Sequence, residues 1–536
     1  MRAALLLLMI GVMTNSLAQA PQYRALDPRG TWPEVMRIPL AERLEDLRGK
    51  KIHLILSWDL ESGFDTTVND LADALRKAGA VPSIDHRNVR YSEDDPQLWA
   101  SLKERSADGF LYIAAASSST TSYAFKWSAK LEKSGLPGAV MAFDQLASVG
   151  ETTSLREGAR VRSVAFSYPT SAMPVADYAQ AIAQALAALT RPLTDAEQQT
   201  GTYRPPANPD IAAEGDLAAV QQAFYAQGFT DGLPIIPPTE GNVAAMLKGT
   251  HHRADEVVAK VFYPEGLQAT VRQVAINAVM AGCLPEHMPV LLATVEAFQK
   301  FNLNSMLRST NSFAFMQVVN GPIATELKMN AGVNAVGPGN QANAAMGRAL
   351  RLFIINLGGG APGVNIMAVI GNNAGYGFMF AENEAQSPWE SLSVAQGFKP
   401  GDSTLTLFSG GWAHAGNYNL GSKFERVAAD IARFESKSGA TIIISPQRAQ
   451  DLSRQGMSRS DAIDFLWRHA TRPLGELRQE RFFSETQAMK AMPDSAAVPV
   501  FPEGSLHIVV AGGDASPMMQ AWHMYRPQTV SVDKWR

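Results

Sequence analysis

The sequence contains a single cysteine, Cys283, among its 536 residues. One thiol excludes an intrachain disulfide, a CxxC redox pair and a cysteine-rich zinc site. An excess of positive charge is also missing, because 47 Lys and Arg residues against 51 Asp and Glu residues give a net charge of −4. The chain therefore lacks the basic surface that neutralises nucleic-acid phosphates, and we expect no nucleic-acid partner.

Motifs for metals and nucleotides are scarce. The nine histidines form neither an HxH nor an HExxH pattern, and the adjacent pair His251 and His252 would point apart on any regular element. No Gly-x-Ser-x-Gly elbow is present. The glycine-rich segments 337–340 and 512–514 do not complete a GxGxxG or a phosphate-loop pattern. We therefore expect no metal, no nucleotide or other cofactor, and no ordinary α/β-hydrolase triad.

Apolar runs long enough to span a bilayer, roughly twenty residues, are absent, so we expect no stable membrane insertion. A shorter apolar run covers residues 3–12, after Arg2 and before small residues at 16, 18 and 20. This arrangement predicts a signal peptide over residues 1–20, with cleavage after Ala18 favoured because Pro21 would follow a cut after Ala20. The mature protein is predicted to be periplasmic or secreted, where a lone cysteine avoids mispairing.

The composition that is present, 46% hydrophobic and 18% charged residues, is typical of a packed globular protein. Between residues 50 and 190, short apolar runs alternate with amphipathic runs. The strands are predicted at residues 52–57, 81–85, 109–116, 138–143 and 162–167, and the helices at residues 66–78, 96–105, 123–133 and 175–189. This alternation predicts an α/β fold with a flavodoxin-like parallel sheet in an N-terminal domain, residues 21–198.

A proline-rich linker is predicted over residues 199–209, followed by a larger mixed α/β domain over residues 210–536. Regular elements within the larger domain are predicted as helices at residues 216–227, 271–280 and 459–470 and strands at residues 441–445 and 507–511. Residues 228–240 are predicted to be extended, and a Gly/Asn-rich stretch runs from 320 to 373. The sequence leaves open whether this region is one domain or two.

Several stretches resemble the UGSC-motif family, whose members carry selenocysteine or cysteine in a U/C-Gly-Ser-Cys loop. The stretches are residues 48–51, the small polar run 117–122 and the Leu-Glu-Lys-Ser-Gly-Leu-Pro run 131–137. The later chain resembles a large domain that accompanies such sequences, through residues 230–240, 277–286, 319–323, 337–340 and 381–390. The resemblance implies thiol or selenol redox chemistry, but this chain has hydroxyl residues at the corresponding loop, which excludes thiol–disulfide exchange there.

The hydroxyl-bearing loop is the first candidate binding site. Ser117, Ser118, Ser119, Thr120 and Thr121 follow a predicted strand and precede a predicted helix. Ligands of parallel α/β sheets bind at the carboxyl ends of the strands, and backbone N–H groups at a helix start bind anions. These residues therefore either contact a substrate or only cap the helix.

Three residues are candidates for catalysis. Cys283 is the only thiol available as a nucleophile, although it follows a helix C-terminus, where the macrodipole disfavours a thiolate. Glu382 would become a general base if burial raised its pKa, and His414 lies in a glycine-rich segment that could shape a site. The alternatives are a buried inert cysteine, a solvated glutamate and a structural histidine.

Five further residues are candidates for substrate binding. Carboxylate and amide side chains in glycine-rich segments can hydrogen-bond a polar ligand or form an oxyanion hole; they are Asp231, Asn277, Asn320, Asn340 and Asn383. The alternative for Asp231 is an Asx turn, and the asparagines could equally satisfy loop backbone groups.

Together, these patterns predict an exported enzyme that acts on a small organic compound in a cleft between the two domains. Its chemistry would be acid–base or nucleophilic, as in hydrolases and lyases, whereas the family resemblance implies an oxidoreductase. The alternative is a non-catalytic periplasmic module that binds a small ligand. The sequence leaves homo-oligomer formation open.

Overall fold

The computed structural model describes residues 21–57, 64–87, 102, 106–114, 118–166, 178–301, 303–309, 311–419, 421–480 and 483–536. The predicted signal peptide lies outside these residues, as do Ser117 and all but Leu102 of the predicted helix at 96–105. No helix within the described ranges is long and apolar enough to cross a membrane.

The first two described strands pair with segments about 160 to 190 residues further on. Strand β1 (Tyr23–Leu26) pairs antiparallel with β9 (Ile211–Gly215), and β2 (Val35–Arg37) pairs antiparallel with β8 (Gly201–Tyr203). Segments that precede the first sheet in the sequence are therefore joined by backbone hydrogen bonds to segments that follow it. The following segments include part of the predicted linker.

Five parallel strands form the first sheet, in the order β4-β3-β5-β6-β7. Their bounds are β3 Lys51–Ser57, β4 Val81–Arg87, β5 Gly109–Ala114, β6 Gly138–Phe143 and β7 Ser163–Phe166. In chain order this is 2-1-3-4-5, the strand order of flavodoxin. The predicted flavodoxin-like α/β fold is confirmed.

Helices cover both faces of this sheet. They are α1 Phe64–Lys77, α2 Ser118–Lys133, α3 Ala147–Glu157 and α4 Tyr178–Thr190. One face packs Leu71 and Ala185, from α1 and α4, against the sheet, and the other packs Phe125 from α2. Helix α3 was not predicted, because its run of Gly and Thr has low helix propensity, which burial against the sheet overrides.

The larger region begins with a helical layer around the largest hydrophobic core. Its helices are α5 Leu217–Ala226, α6 Glu240–Met246, α7 Val271–Ala281, α8 Met288–Gln299, α9 Leu303–Leu307, α10 Pro322–Glu326 and α11 Gln341–Leu352. An antiparallel hairpin joins β10 (Val257–Phe262) to β11 (Leu267–Thr270). The predicted helices at 216–227 and 271–280 are confirmed, and residues 228–239 contain no regular helix or strand.

A second sheet of six strands is mixed and follows the order β13-β12-β14-β19-β15-β18. Its strands are β12 Ala314–Asn320, β13 Met379–Ala381, β14 Thr404–Tyr418, β15 Ala440–Ile444, β18 Leu506–Val510 and β19 Met519–Ser531. The two strands predicted at 441–445 and 507–511 pair in parallel. The larger region is therefore mixed α/β, as predicted.

The remaining elements surround this sheet. They are helices α12 Leu392–Ala395, α13 Phe424–Ile431, α14 Pro446–Arg454, α15 Arg459–His469 and α16 Leu474–Leu477, with the strand pair β16 Thr471–Pro473 and β17 Ala497–Pro499. Helices α13 to α15 cover one face of β15 and β18. The helix predicted at 459–470 is confirmed as α15.

Candidate functional site

The hydroxyl residues of the first domain lie partly within a helix. Helix α2 begins at Ser118, five residues before the predicted start, so Ser118 to Thr121 form its first turn. Thr120 and Thr121 are buried, and the next residue, Ser122, lies 3.2 Å from Thr153 of α3 through their hydroxyl oxygens. Ser117 and the side chains of Ser118 and Ser119 lie outside the described residues, so ligand contact there stays a prediction.

The Leu-Glu-Lys run of the family resemblance has a structural role. The buried carboxylate of Glu132 accepts hydrogen bonds from the backbone N–H groups of Ala41 and Gly138, both at 2.8 Å, and pairs with Arg43. Burial raises the pKa of Glu132, and the Arg43 guanidinium acts in the opposite direction. These contacts tie the end of α2 to the start of β6 and to the segment before the sheet.

Glu382 follows β13 and is fully occupied by partners. Its Oε1 accepts from the Arg459 guanidinium at 2.6 Å and from Val510 N at 3.3 Å. Its Oε2 accepts from Asn320 Nδ2 at 2.7 Å and from Leu392 N at 2.6 Å. A buried carboxylate with four donors joins strands β12, β13 and β18 to helix α15, and it has little capacity left to accept a substrate proton.

Two of the predicted binding residues lie at this carboxylate. Asn320 also donates to Glu384 Oε1 at 2.9 Å. Asn383 bonds the end of β18 through its backbone, because its N–H donates to Val510 O at 2.7 Å. Its side-chain amide donates to Gly512 O at 3.2 Å. The structure therefore brings Asn320, Glu382 and Asn383 together, in a buried network of backbone and side-chain bonds.

Cys283 lies at the end of α7, just beyond Gly282, which closes the helix with a left-handed φ of 86°. The thiol is buried, and burial raises its pKa well above the ordinary range, with only partial opposition from the Arg348 charge. A thiol in this state is almost entirely protonated at neutral pH and is a poor nucleophile.

Asp231 is the partner of Arg348. Arg348 Nε and Nη2 each donate to the Asp231 carboxylate at 2.9 Å, which is a bidentate ion pair. The same carboxylate accepts from Leu233 N at 3.2 Å, so the Asx-turn alternative is also realised. Asp231 thus anchors the turn before α6 to helix α11.

The remaining predicted residues also have intramolecular partners. Asn277 donates to Pro28 O at 2.8 Å and accepts from Asn356 at 2.7 Å. Asn340 caps α11 by accepting from Asn343 N at 2.9 Å. His414 lies on β14 with its ring 4.5 Å from that of Trp522, and burial lowers its pKa.

Among the residues that the structure describes, no hydrogen bond or ion pair joins Cys283, Glu382 and His414. Within the same ranges, no three His, Cys, Asp or Glu side chains converge as a metal site requires. The catalytic roles given to these three residues stay predictions. The larger region also contains a cavity that the sequence did not indicate.

This cavity, which we call the Arg351 cavity, is narrow and leaves about 40 Å³ for the centres of water-sized molecules. Helix α11, helix α9, strand β12 and the segment 366–378 form its walls. The walls are mainly apolar, and the apolar side chains that line it are Met306, Leu307, Ala314, Phe313, Phe315, Leu350, Ile354, Ile366, Ala368, Ala374 and Phe378. The polar side chains that line it are Asn311, Gln317 and Arg351.

Arg351 lies in the last turn of α11, which continues as a π-helix over Phe353–Leu357. Such wide turns are often found at functional sites. The side chain is partly buried, and burial lowers the pKa of its guanidinium, with Asp231 opposing. None of the described residues accepts a hydrogen bond from Arg351, so its charge faces the cavity without a bound acceptor.

Gln317 is the second polar group of interest. It is 1% exposed, and its Oε1 atom lies at hydrogen-bond distance, 3.1 Å, from Thr294 Oγ1. Its Nε2 atom has no hydrogen-bond partner in the described part of the chain. Buried amide groups normally form hydrogen bonds at both ends. The Nε2 end of Gln317, which lines the cavity, is therefore available to donate a hydrogen bond to a ligand.

The walls of this cavity also contact the first domain. Helix α9, which supplies Met306 and Leu307, packs against α2. Between the wall residues Ile366 and Ala368, Met367 packs on the core of the flavodoxin-like domain. The cavity therefore lies beside residues that contact the first domain, and none of the described residues predicted for the inter-domain cleft lines it. The cleft stays a prediction.

No curated protein matches this chain. The model of the UGSC family matches residues 24–195, a range that includes the flavodoxin-like sheet and its helices and ends before the larger region. This match confirms, for residues 24–195, the resemblance that the sequence indicated.

Proposed function

We propose that this chain is a binding module for a small organic ligand, which occupies the Arg351 cavity. The observation that carries the proposal is a narrow apolar cavity in which the Arg351 guanidinium and the Nε2 end of the Gln317 amide lack hydrogen-bond partners among the described residues. Ligand sites in proteins typically combine apolar walls with a few such polar groups that fix orientation.

The same cavity favours binding over catalysis. Its described lining contains no Cys, His, Asp, Glu, Lys, Ser, Thr or Tyr side chain. An arginine keeps its proton at neutral pH, and an amide does not titrate, so neither can act as a general base or a nucleophile. We therefore favour the non-catalytic binding module over the enzyme. The enzymatic function stays a prediction from the sequence.

A pair of adjacent substitutions tests the proposal. Ala368 lines the cavity, whereas its neighbour Val369 is 77% exposed and does not. We expect wild-type protein to bind propionate or propionamide in ligand-observed NMR, Ala368→Trp to abolish binding, and Val369→Trp to retain it. The proposal is wrong if wild-type protein binds neither probe, or if both variants bind as the wild type does.

Export is part of the proposal and depends on residues 1–20 alone. We expect the protein recovered from a periplasmic or culture fraction to begin at Gln19, after cleavage at Ala18. N-terminal sequencing checks this, and an intact N-terminus at Met1 in that protein would contradict it.

A further inference from the structure

The charges around helix α11 do not balance. Arg348 and Arg351 lie three residues apart on one helix, and therefore on one side of it. Asp231, the carboxylate whose charge acts on Arg351, already accepts two hydrogen bonds from Arg348 and one from Leu233 N. The Asp231 carboxylate is thus hydrogen-bonded to Arg348 and not to Arg351, and Arg351 lines the cavity without a hydrogen-bonded counter-charge among the described residues.

We infer that the Arg351 cavity selects small monocarboxylates, with the ligand carboxylate on the Arg351 guanidinium; this inference rests on the proposed function. The planar fork of a guanidinium matches the two oxygens of a carboxylate. An anion bound there would supply the counter-charge that the described protein groups do not.

The rest of the cavity limits the ligand to one charge. Phe315, Leu350 and Ile354 offer no hydrogen bonds from their side chains, so a second carboxylate or a phosphate dianion would lose its hydration without replacement. The Gln317 amide can take one further polar contact. The narrow space suits a body of a few carbon atoms, such as that of propionate or butyrate.

The inference is tested by comparing propionate with propionamide, which has nearly the same shape and no charge. We expect wild-type protein to bind propionate at least about tenfold more tightly in calorimetric titrations, since charge-assisted hydrogen bonds exceed neutral ones. Succinate and inorganic phosphate should bind more weakly than propionate. Equal affinity for propionate and propionamide would overturn the inference but leave the proposed function intact.

Variants assign the preference to one residue. Arg351→Met should remove the preference for propionate while propionamide still binds, and Arg351→Lys should retain part of it. Arg433, whose side chain is 83% exposed, provides the control for net charge, because Arg433→Met should keep the full preference. If Arg351→Met and Arg351→Gln both kept the preference, the carboxylate would be bound elsewhere and the inference would be wrong. If wild-type protein bound neither propionate nor propionamide, the proposed function itself would be wrong.

Discussion

Two arginines of the larger region lie in contrasting surroundings. Arg459 is buried and donates to Glu382 Oε1 and to Glu390 O, at 2.6 and 2.8 Å. Arg351 is partly buried beside an apolar cavity and has no hydrogen-bond acceptor among the described residues. The first guanidinium is neutralised within the fold, and the second is not.

This difference separates a structural role from a binding role more clearly than residue type does. The buried ion pair of Arg459 and Glu382 can hold strands and helices in one arrangement, but the carboxylate, with four donors, has little capacity left for a ligand. A charge that the fold leaves without a partner costs free energy, and a ligand that neutralises it recovers that cost.

The largest effect should follow removal of the Glu382 carboxylate. Glu382→Ala leaves Arg459 buried without its counter-charge, and we expect it to lower the free energy of unfolding by about 3–5 kcal/mol. Urea-induced unfolding followed by circular dichroism measures this loss. The double variant Glu382→Ala with Arg459→Met should recover much of the stability. A single variant as stable as the wild type would show that the pair is not structural, and Glu382 would again be a candidate base.

A second effect concerns acid stability at the same strands. His507 lies on β18, next to Ile508, whose carbonyl accepts from Arg459. Its ring packs against Phe408, and burial lowers its pKa to about 4. The unfolded chain binds this proton near pH 6.5, so stability from the neutral ring is full above that pH. It is lost as pH falls from about 6.5 to 4, by up to about 3 kcal/mol.

The variant His507→Leu isolates this contribution. Burial also lowers the pKa of His523, to about 3, so the wild-type profile alone does not identify the residue. We expect the stability difference between wild type and His507→Leu to change between pH 7 and 4, in favour of the variant at low pH. A constant difference over that range would show that His507 does not titrate with folding.

The fold was largely predictable because periodic apolar runs define it. The five strands of the first sheet and strands β15 and β18 were found from buried runs rich in Ile, Val and Leu. Helix α3 and the first turn of α2 were missed because Gly, Ser and Thr have weak helix propensity, and packing decides their conformation. Long-range pairings such as that of β1 with β9 leave no local signal.

The site was much less predictable, because partners decide what a polar residue does. Glu382 was identified as a catalytic candidate and Asp231 as a binding candidate. Each forms an ion pair with an arginine that is far away in the sequence, 77 positions for Glu382 and 117 for Asp231. Arg351 was not identified, since an arginine on an amphipathic helix normally reads as solvent-facing. The available signal was its spacing of three from Arg348, with buried residues on either side.

The contrast between the arginines predicts opposite signs for the same substitution. In ligand-free protein, Arg351→Met removes a partly desolvated charge that lacks a bound acceptor, so we expect the free energy of unfolding to rise by about 1–2 kcal/mol. Arg459→Met should lower it, because Glu382 is left behind. Urea unfolding of both variants in buffer without carboxylates measures the two signs. Destabilisation by Arg351→Met would mean that the fold does supply a partner for this charge.

The smallest effect is expected at Cys283, which lies near Arg348 but does not line the Arg351 cavity. Because burial raises the pKa of the thiol, we expect the native protein to resist a disulfide reagent at pH 8 and the urea-unfolded protein to react at once. Cys283→Ala should change the free energy of unfolding by about 1 kcal/mol or less and leave propionate affinity unchanged. Rapid labelling of the native protein, blocked by propionate, would instead place a reactive thiol at the cavity. The Cys283 thiol would then contribute to ligand binding, and the difference between Arg351 and Arg459 would no longer explain where the ligand binds.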